Sequence, residues 1–353
     1  MNRPRMIIRP AMALALVLVA TAVRAQSLSA ARTELPIAEV RLSDGTRRYA
    51  VPIVVGATTL RAGLDTGSTG LRILPRVLDS GDARSTRRDD SYSFDSGAKL
   101  DGVIAGADLM LGDLRGRTTV QLVNEVGCTE DHPGCAFGKI PLSVYGVEGN
   151  GLPGEGFKAI IGVKMGSAEI ANPFAALGAR RWIIELPRPG EAGPGRIVLN
   201  PTDAEAAGYV TLPTLSRLAK LTGALHDGVT GCLINRSTSA RFCGAVVLDT
   251  GSVGIIVTGR AVGGAPWPQG APATLAMGDG TGHAKVAELL TIGMRPHASR
   301  LTFERRADQA MTIIVAGISP YFAFSVRYDP EHGTIGLEPR PPAAGGPVGK
   351  ALN

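Results

Sequence analysis

Between Ala38 and Ser68 apolar and polar residues alternate along "AEVRLSDGTRRYAVPIVVGATTLRAGLDTGS", interrupted by turn dipeptides such as Asp44-Gly45. That period of two predicts antiparallel strands with one buried face. Residues 91–114, "SYSFDSGAKLDGVIAGADLMLGDL", predict a hairpin with turn signals at Ser96-Gly97 and Asp101-Gly102. Short apolar runs at 181–187, 195–201, 311–317 and 323–329, bounded by Gly, Pro or Asp, predict further strands. The segment "MGDGTGHA" at 277–284 predicts another hairpin turn. Helical patterning is brief, at 172–177 and 202–208, with Asn172 and Thr202 as the expected N-caps. The expected fold class is all-β.

The first 25 residues follow a different pattern. Arg3, Arg5 and Arg9 precede "AMALALVLVA", an apolar run too short to span a bilayer, and Val23 and Ala25 stand where a signal peptidase cuts. Residues 1–25 are therefore expected to be a signal peptide, leaving a periplasmic or secreted chain with no membrane span. The Pro/Gly-rich run at 185–196 sets an expected boundary between an N-terminal lobe, 26–190, and a C-terminal lobe, 191–340. Residues 341–353, "PPAAGGPVGKALN", are expected to be a disordered tail.

Composition narrows the class further. With 44% hydrophobic and 19% charged residues the 353-residue chain is globular, and its 46 glycines and 24 prolines suit many tight turns. Losing the four arginines of 1–25 lowers the net charge from +6 to about +2. No stripe of Lys/Arg interleaved with aromatics remains, so nucleic acid is not an expected partner. Four cysteines fall into two local pairs, Cys128 with Cys135 and Cys232 with Cys243. Four cysteines allow three connectivities, and in an oxidising compartment pairing of sequence neighbours is the expectation. Neither pair has zinc-site spacing, and the histidines lack metal-ligand spacing, so no metal is expected. The Gly149, Gly151, Gly154 match to a dinucleotide fingerprint contains Pro153 and precedes a strand, not a helix, and no G-x-S-x-G elbow occurs.

An internal repeat carries the chemistry. "LDTGSTG" at 64–70 and "LDTGSVG" at 248–254 agree at six of seven positions, and their aspartates lie 184 residues apart. One Asp-Thr-Gly-Ser makes a turn anywhere, but one copy in each half predicts a duplicated lobe. Two lobes related by an approximate two-fold axis bring Asp65 and Asp249 together, where two close carboxylates share one proton. One is then a general base for water and the other an acid toward a carbonyl oxygen. Around them, Thr66 and Thr250 are expected to hydrogen-bond across the axis. Gly67 and Gly251 let backbone N–H groups approach the carboxylates, and Ser68 and Ser252 reach their outer oxygens.

With these motifs the chain resembles the pepsin-like aspartic endopeptidases, in a divergent, bacterial-type branch. The resemblance covers roughly residues 36–340. It implies a two-lobed, all-β acid-protease fold in which a later apolar-apolar-Gly element completes a ψ-shaped loop in each lobe. Gly162 in "AIIGV" and Gly317 in "IIVAGI" fit that element. It also implies a flap hairpin with a tyrosine over the dyad; counting from Gly97 puts Phe94 at that place, and Tyr92 lies two residues away on the same face. Where pepsins carry a tryptophan after the first motif, this chain has Arg72, a candidate modulator of the dyad or partner for a flap carboxylate. The expected activity is hydrolysis of peptide bonds in a peptide or protein substrate, by a monomer needing no metal or organic cofactor. The alternative is a catalytically silent binding or inhibitor protein of the same fold that recognises a peptide or envelope partner.

Overall fold

The computed structural model describes residues 31–219, 226–263 and 266–352; the expected signal peptide at 1–25 lies outside these. Among the described residues strand far outweighs helix and is arranged in two sheets, so the all-β expectation holds. The short helices start where their caps predict. Asn172 accepts from the N–H groups of Phe174 and Ala175 ahead of Pro173–Ala176, and Thr202 forms a capping box with Glu205 ahead of Asp203–Ala206.

The two sheets repeat one local plan. In the first, Thr58–Asp65 pairs antiparallel with Arg47–Val55 on one side and parallel with Ala159–Val163 on the other. Ala159–Val163 then pairs antiparallel with Thr69–Ile73, which runs parallel to Leu114–Cys128. In the second, Arg241–Leu248 pairs antiparallel with Val229–Asn235 and parallel with Ile313–Gly317. Ile313–Gly317 pairs antiparallel with Ile255–Gly259, which runs parallel to Leu301–Arg305. Each half thus lodges a late strand between the two strands that flank its Asp-Thr-Gly-Ser turn. These inserted strands read Ala-Ile-Ile-Gly-Val and Ile-Ile-Val-Ala-Gly, the continuous apolar runs expected of strands covered on both faces.

The sheets do not divide at residue 190. Trp182–Glu185 and Gly195–Leu199 pair antiparallel, so the Pro/Gly run between them is a hairpin connection. Phe324–Asp329 and Thr334–Pro339 also belong to the first sheet, where Tyr328 stacks on Trp182 with ring centroids 5.9 Å apart. Nor is the C-terminus disordered. Val348–Ala351 pairs antiparallel with Ala284–Thr291, a contact made by backbone hydrogen bonds and so invisible in side-chain patterning. Gly349 permits it, because a Cβ there would lie 2.5 Å from Ala323 O and 2.7 Å from the Phe324 ring.

The hairpin at 91–114 is longer than its sequence signals suggest. Ala83–Ser93 and Ala98–Leu111 are joined by residues 94–97, with Gly97 at φ +86°. Asp101-Gly102 is not a turn: it lies within Ala98–Leu111, at a bulge against Leu114–Cys128, and the second turn falls at Gly112-Asp113. A Cβ at Gly102 would come within 2.1 Å of Leu122 O, so the glycine serves a close strand approach. The segment 277–284 does contain a turn, between Pro272–Gly278 and Ala284–Thr291. Both expected cysteine pairs are at disulfide distance, Cys128–Cys135 at 1.97 Å and Cys232–Cys243 at 2.06 Å. Among the described residues no helix is long and apolar enough to cross a membrane.

One buried carboxyl sets a pH dependence for stability. Glu288, on Ala284–Thr291, is completely buried and accepts a short hydrogen bond from Ser319 Oγ. Burial pushes its pKa up from 4.5 to about 7, against the opposing effect of that hydrogen bond. The folded protein therefore keeps Glu288 protonated where the unfolded chain ionises it. This contribution is complete below pH 4.5 and is lost as pH rises toward 7, by at most about 1.4 kcal/mol per pH unit. Glu288→Gln is expected to raise the melting temperature at pH 8 but not at pH 4; equal shifts at both would rule this out.

Candidate active site

Each aspartate stands where a buried apolar strand runs into its turn. Ala62 and Leu64 are buried ahead of Asp65, and Ala245 to Leu248 are buried ahead of Asp249. The turns face each other at a separation that only glycine allows. A Cβ on Gly67 would lie 2.5 Å from Asp249 Oδ1, and one on Gly251 would lie 2.9 Å from Asp65 Oδ1. Within each turn the carboxylate accepts two matching hydrogen bonds. Asp65 receives them from Gly67 N–H at 2.7 Å and Ser68 Oγ at 2.5 Å. Asp249 receives them from Gly251 N–H at 2.9 Å and Ser252 Oγ at 2.6 Å.

The two threonines tie the turns together reciprocally. Thr66 N–H donates to Thr250 Oγ1 and Thr250 N–H to Thr66 Oγ1, both at 3.0 Å. Thr66 Oγ1 donates to Leu248 O at 3.0 Å, and Thr250 Oγ1 to Leu64 O at 2.6 Å. All four bonds are buried. Thr66 Oγ1 also lies 2.9 Å from the Tyr321 hydroxyl, which makes a short bond to the Tyr328 hydroxyl. Gly162 sits opposite Asp65 in the strand register, and Gly317 opposite Leu248. At Gly317, φ is +64° and a Cβ would meet Gly254 O at 2.4 Å.

The two carboxyls act on each other electrostatically. Burial, and then the negative charge of Asp65, hold the carboxyl of Asp249 well above the ordinary carboxylate range, while the Ser252 hydrogen bond opposes them. Two carboxyls so placed hold a proton between them. Lys164 follows the inserted strand Ala159–Val163 directly and donates to Gly67 O at 3.4 Å. Burial lowers its pKa, while Asp227, Asp249 and Asp65 act in the opposite direction.

The dyad opens into a cavity of about 470 Å³, roofed by the end of the long hairpin through Tyr92, Phe94 and Ala98. Of the two flap candidates, Tyr92 is the one that reaches the turns. Burial, and then the negative charge of Asp65, push its pKa up to about 12, and its ring lies 3.5 Å under the Arg72 guanidinium. Phe94 packs edge-on against Tyr92, centroids 4.9 Å apart, and Gly97 closes the turn by donating to Phe94 O at 2.9 Å. Arg72 is buried and donates to Thr69 O at 2.8 Å; among the described residues it makes no ion pair with a flap carboxylate.

Sequence reasoning did not single out four other residues on the cavity wall: Arg48, Glu148, Lys164 and His226. His226 Nδ1 is 2.7 Å from Asp227 Oδ1, and Asp227 Oδ2 accepts from Met165 N–H at 2.7 Å. A charged side chain directly after the apolar run Ala159–Val163 was the only signal available, and it pointed to Lys164 alone. Among the described residues, no cluster of His, Cys, Asp or Glu could hold a metal ion. No protein-family model matches the chain, and no curated protein sequence matches it.

The threonine lock has a measurable consequence. Thr66→Val leaves the buried Thr250 N–H without an acceptor and removes two hydroxyl contacts, so urea unfolding should show a loss of about 3 kcal/mol. A loss below about 1 kcal/mol would mean that the lock does not hold the turns together.

Proposed function

We propose that this protein is an exported aspartic endopeptidase of the pepsin-like, two-lobed type. The observation that carries the proposal is the reciprocal placement of Asp65 and Asp249 on turns that hydrogen-bond each other through Thr66 and Thr250. The repeated strand plan with an inserted third strand supports the same fold family. Disulfides suit an oxidising compartment, outside the cytoplasm.

In this reading the pair carries one proton, held on Asp249. A water between the carboxyls attacks the scissile carbonyl carbon and gives a proton to Asp65, while Asp249 delivers its own to the carbonyl oxygen. The product is a neutral tetrahedral diol. On collapse the amide nitrogen takes the proton from Asp65, the C–N bond breaks, and one diol hydroxyl returns its proton to Asp249. Tyr92 and Phe94 close the cavity from above, and an extended peptide lies along the hairpin with its main chain bonded to it. Arg72 stands where pepsins carry the indole, and its flat guanidinium packs on Tyr92.

Asp65→Asn and Asp249→Asn should each lower cleavage of a denatured protein by on the order of 10²–10⁴-fold with the fold retained. Because the Asp249 pKa is raised, activity should persist above the pH where an ordinary aspartate ionises, then fall as Asp249 loses its proton. Wild-type cleavage by either variant would dismiss the dyad. Tight binding of a statine-type inhibitor without any turnover would favour a silent peptide-binding protein instead.

A further inference from the structure

The glycine carbonyls of the two turns each accept a hydrogen bond from a basic side chain. Arg48 Nη1 donates to Gly251 O at 2.5 Å, and Lys164 Nζ donates to Gly67 O at 3.4 Å. The turns are copies of one motif, but their two donors are not counterparts. Val51 pairs with Ala62, three residues before Asp65, and Val229 pairs with Val246, three residues before Asp249. Three residues before each valine stand Arg48 and His226, which are therefore matched positions. His226 turns to Asp227 instead, with its Nδ1 2.7 Å from Oδ1, and Lys164 supplies the cation at the first turn. A like contact made by unlike residues points to the positive charge at each turn as the requirement.

Lys164 is fastened to the first motif along its backbone. Its N–H donates to Ser68 O at 2.9 Å. Its own carbonyl accepts from Asn172 Nδ2 at 2.9 Å and from Thr69 Oγ1 at 3.4 Å. The residue is buried, and it lines the same cavity as Asp65 and Asp249. A buried ammonium is costly unless anionic groups answer it. Burial disfavours the charge of Lys164, and Asp227, Asp249, Asp65 and Asp95 favour it. The attraction is mutual, so the ammonium favours the ionised form of the two dyad carboxyls in return.

The other groups around the cavity leave this task to the two cations on the turns. Tyr92 is neutral in acid, and burial holds the carboxyl of Glu148 protonated. Asp95, on the turn of the hairpin, is exposed and of the wrong sign. Arg72 lies against Tyr92, and His226 is engaged with Asp227.

We propose that Lys164 is a positioning residue of the dyad, its ammonium held against the first turn so that one carboxyl stays ionised in acid. The inference rests on the peptidase reading, in which one carboxylate must remain a base for water, and its test separates the two. Each proton added to the pair puts more positive charge beside Lys164, so the ammonium opposes both protonation steps. Without it the pair gains both protons at higher pH, and both limbs of the kcat/KM profile move up together. A damaged fold would lower the plateau without moving the limbs.

The pH dependence of kcat/KM is measured for the wild type, Lys164→Gln, Lys164→Met and Lys164→Arg. Glutamine keeps a donor for Gly67 O without the charge, methionine removes both, and arginine keeps both. Glutamine and methionine should each move both limbs up by about half a pH unit or more, and arginine should leave them in place. If the arginine variant does not fold, the other two decide. Limbs left in place by Lys164→Gln overturn the proposal, including the case in which Lys164→Met alone moves them. If the wild type cleaves no peptide, the carboxyl resonances of Asp65 and Asp249 are titrated by NMR in the wild type and in Lys164→Gln. An upward move of the pair's titration keeps the role of Lys164 and discards the peptidase; no move discards the role.

Discussion

The Thr66–Thr250 exchange is the constraint on which the rest of the site depends. Each backbone N–H is bonded to the other turn's hydroxyl, and each hydroxyl is bonded to the carbonyl that precedes the other aspartate. Neither turn can shift without orphaning a buried donor on its partner. The glycine contacts follow, because turns held this close leave no room for a side chain at 67 or 251. The raised Asp249 pKa follows as well, since desolvation and a neighbouring carboxylate come from the same closeness.

What was legible in the sequence is what repeats or obeys a local rule. Two copies of Leu-Asp-Thr-Gly-Ser announced Asp65 and Asp249, and the caps Asn172 and Thr202 announced their helices through nearest-neighbour hydrogen bonds. Features decided by distant partners were harder to see. Asp101-Gly102 carries turn residues, yet its glycine answers to Leu122 across the sheet. Val348–Ala351 has no apolar alternation, because its pairing with Ala284–Thr291 is made by the backbone. Arg48, Glu148 and His226 reach the cavity from three separate segments, and only the folded chain brings them together.

Arg72 supports the hairpin from beneath. Its planar guanidinium lies 3.5 Å from the centre of the Tyr92 ring, so the hairpin rests on a buried group beside the first turn. Burial disfavours its charge, while the fields of Tyr92, Asp90 and Asp65 favour it. The aromatic face and the Thr69 carbonyl hold the guanidinium without a salt bridge among the described residues, and its buried Nε is left without an acceptor.

The order of strands in the first sheet bears on how the chain reaches this state. Trp182–Glu185 lies between Gly195–Leu199, a near neighbour in sequence, and Phe324–Asp329, from the far end of the chain. During synthesis the N-terminal half emerges with one side of Trp182–Glu185 unpaired, and it stays so until more than 130 further residues have followed. An apolar edge left open for that long is where a growing chain pairs wrongly with its neighbours. This sheet can close only once Phe324–Asp329 has been made, and the stacking of Tyr328 on Trp182 then covers the second side of the strand.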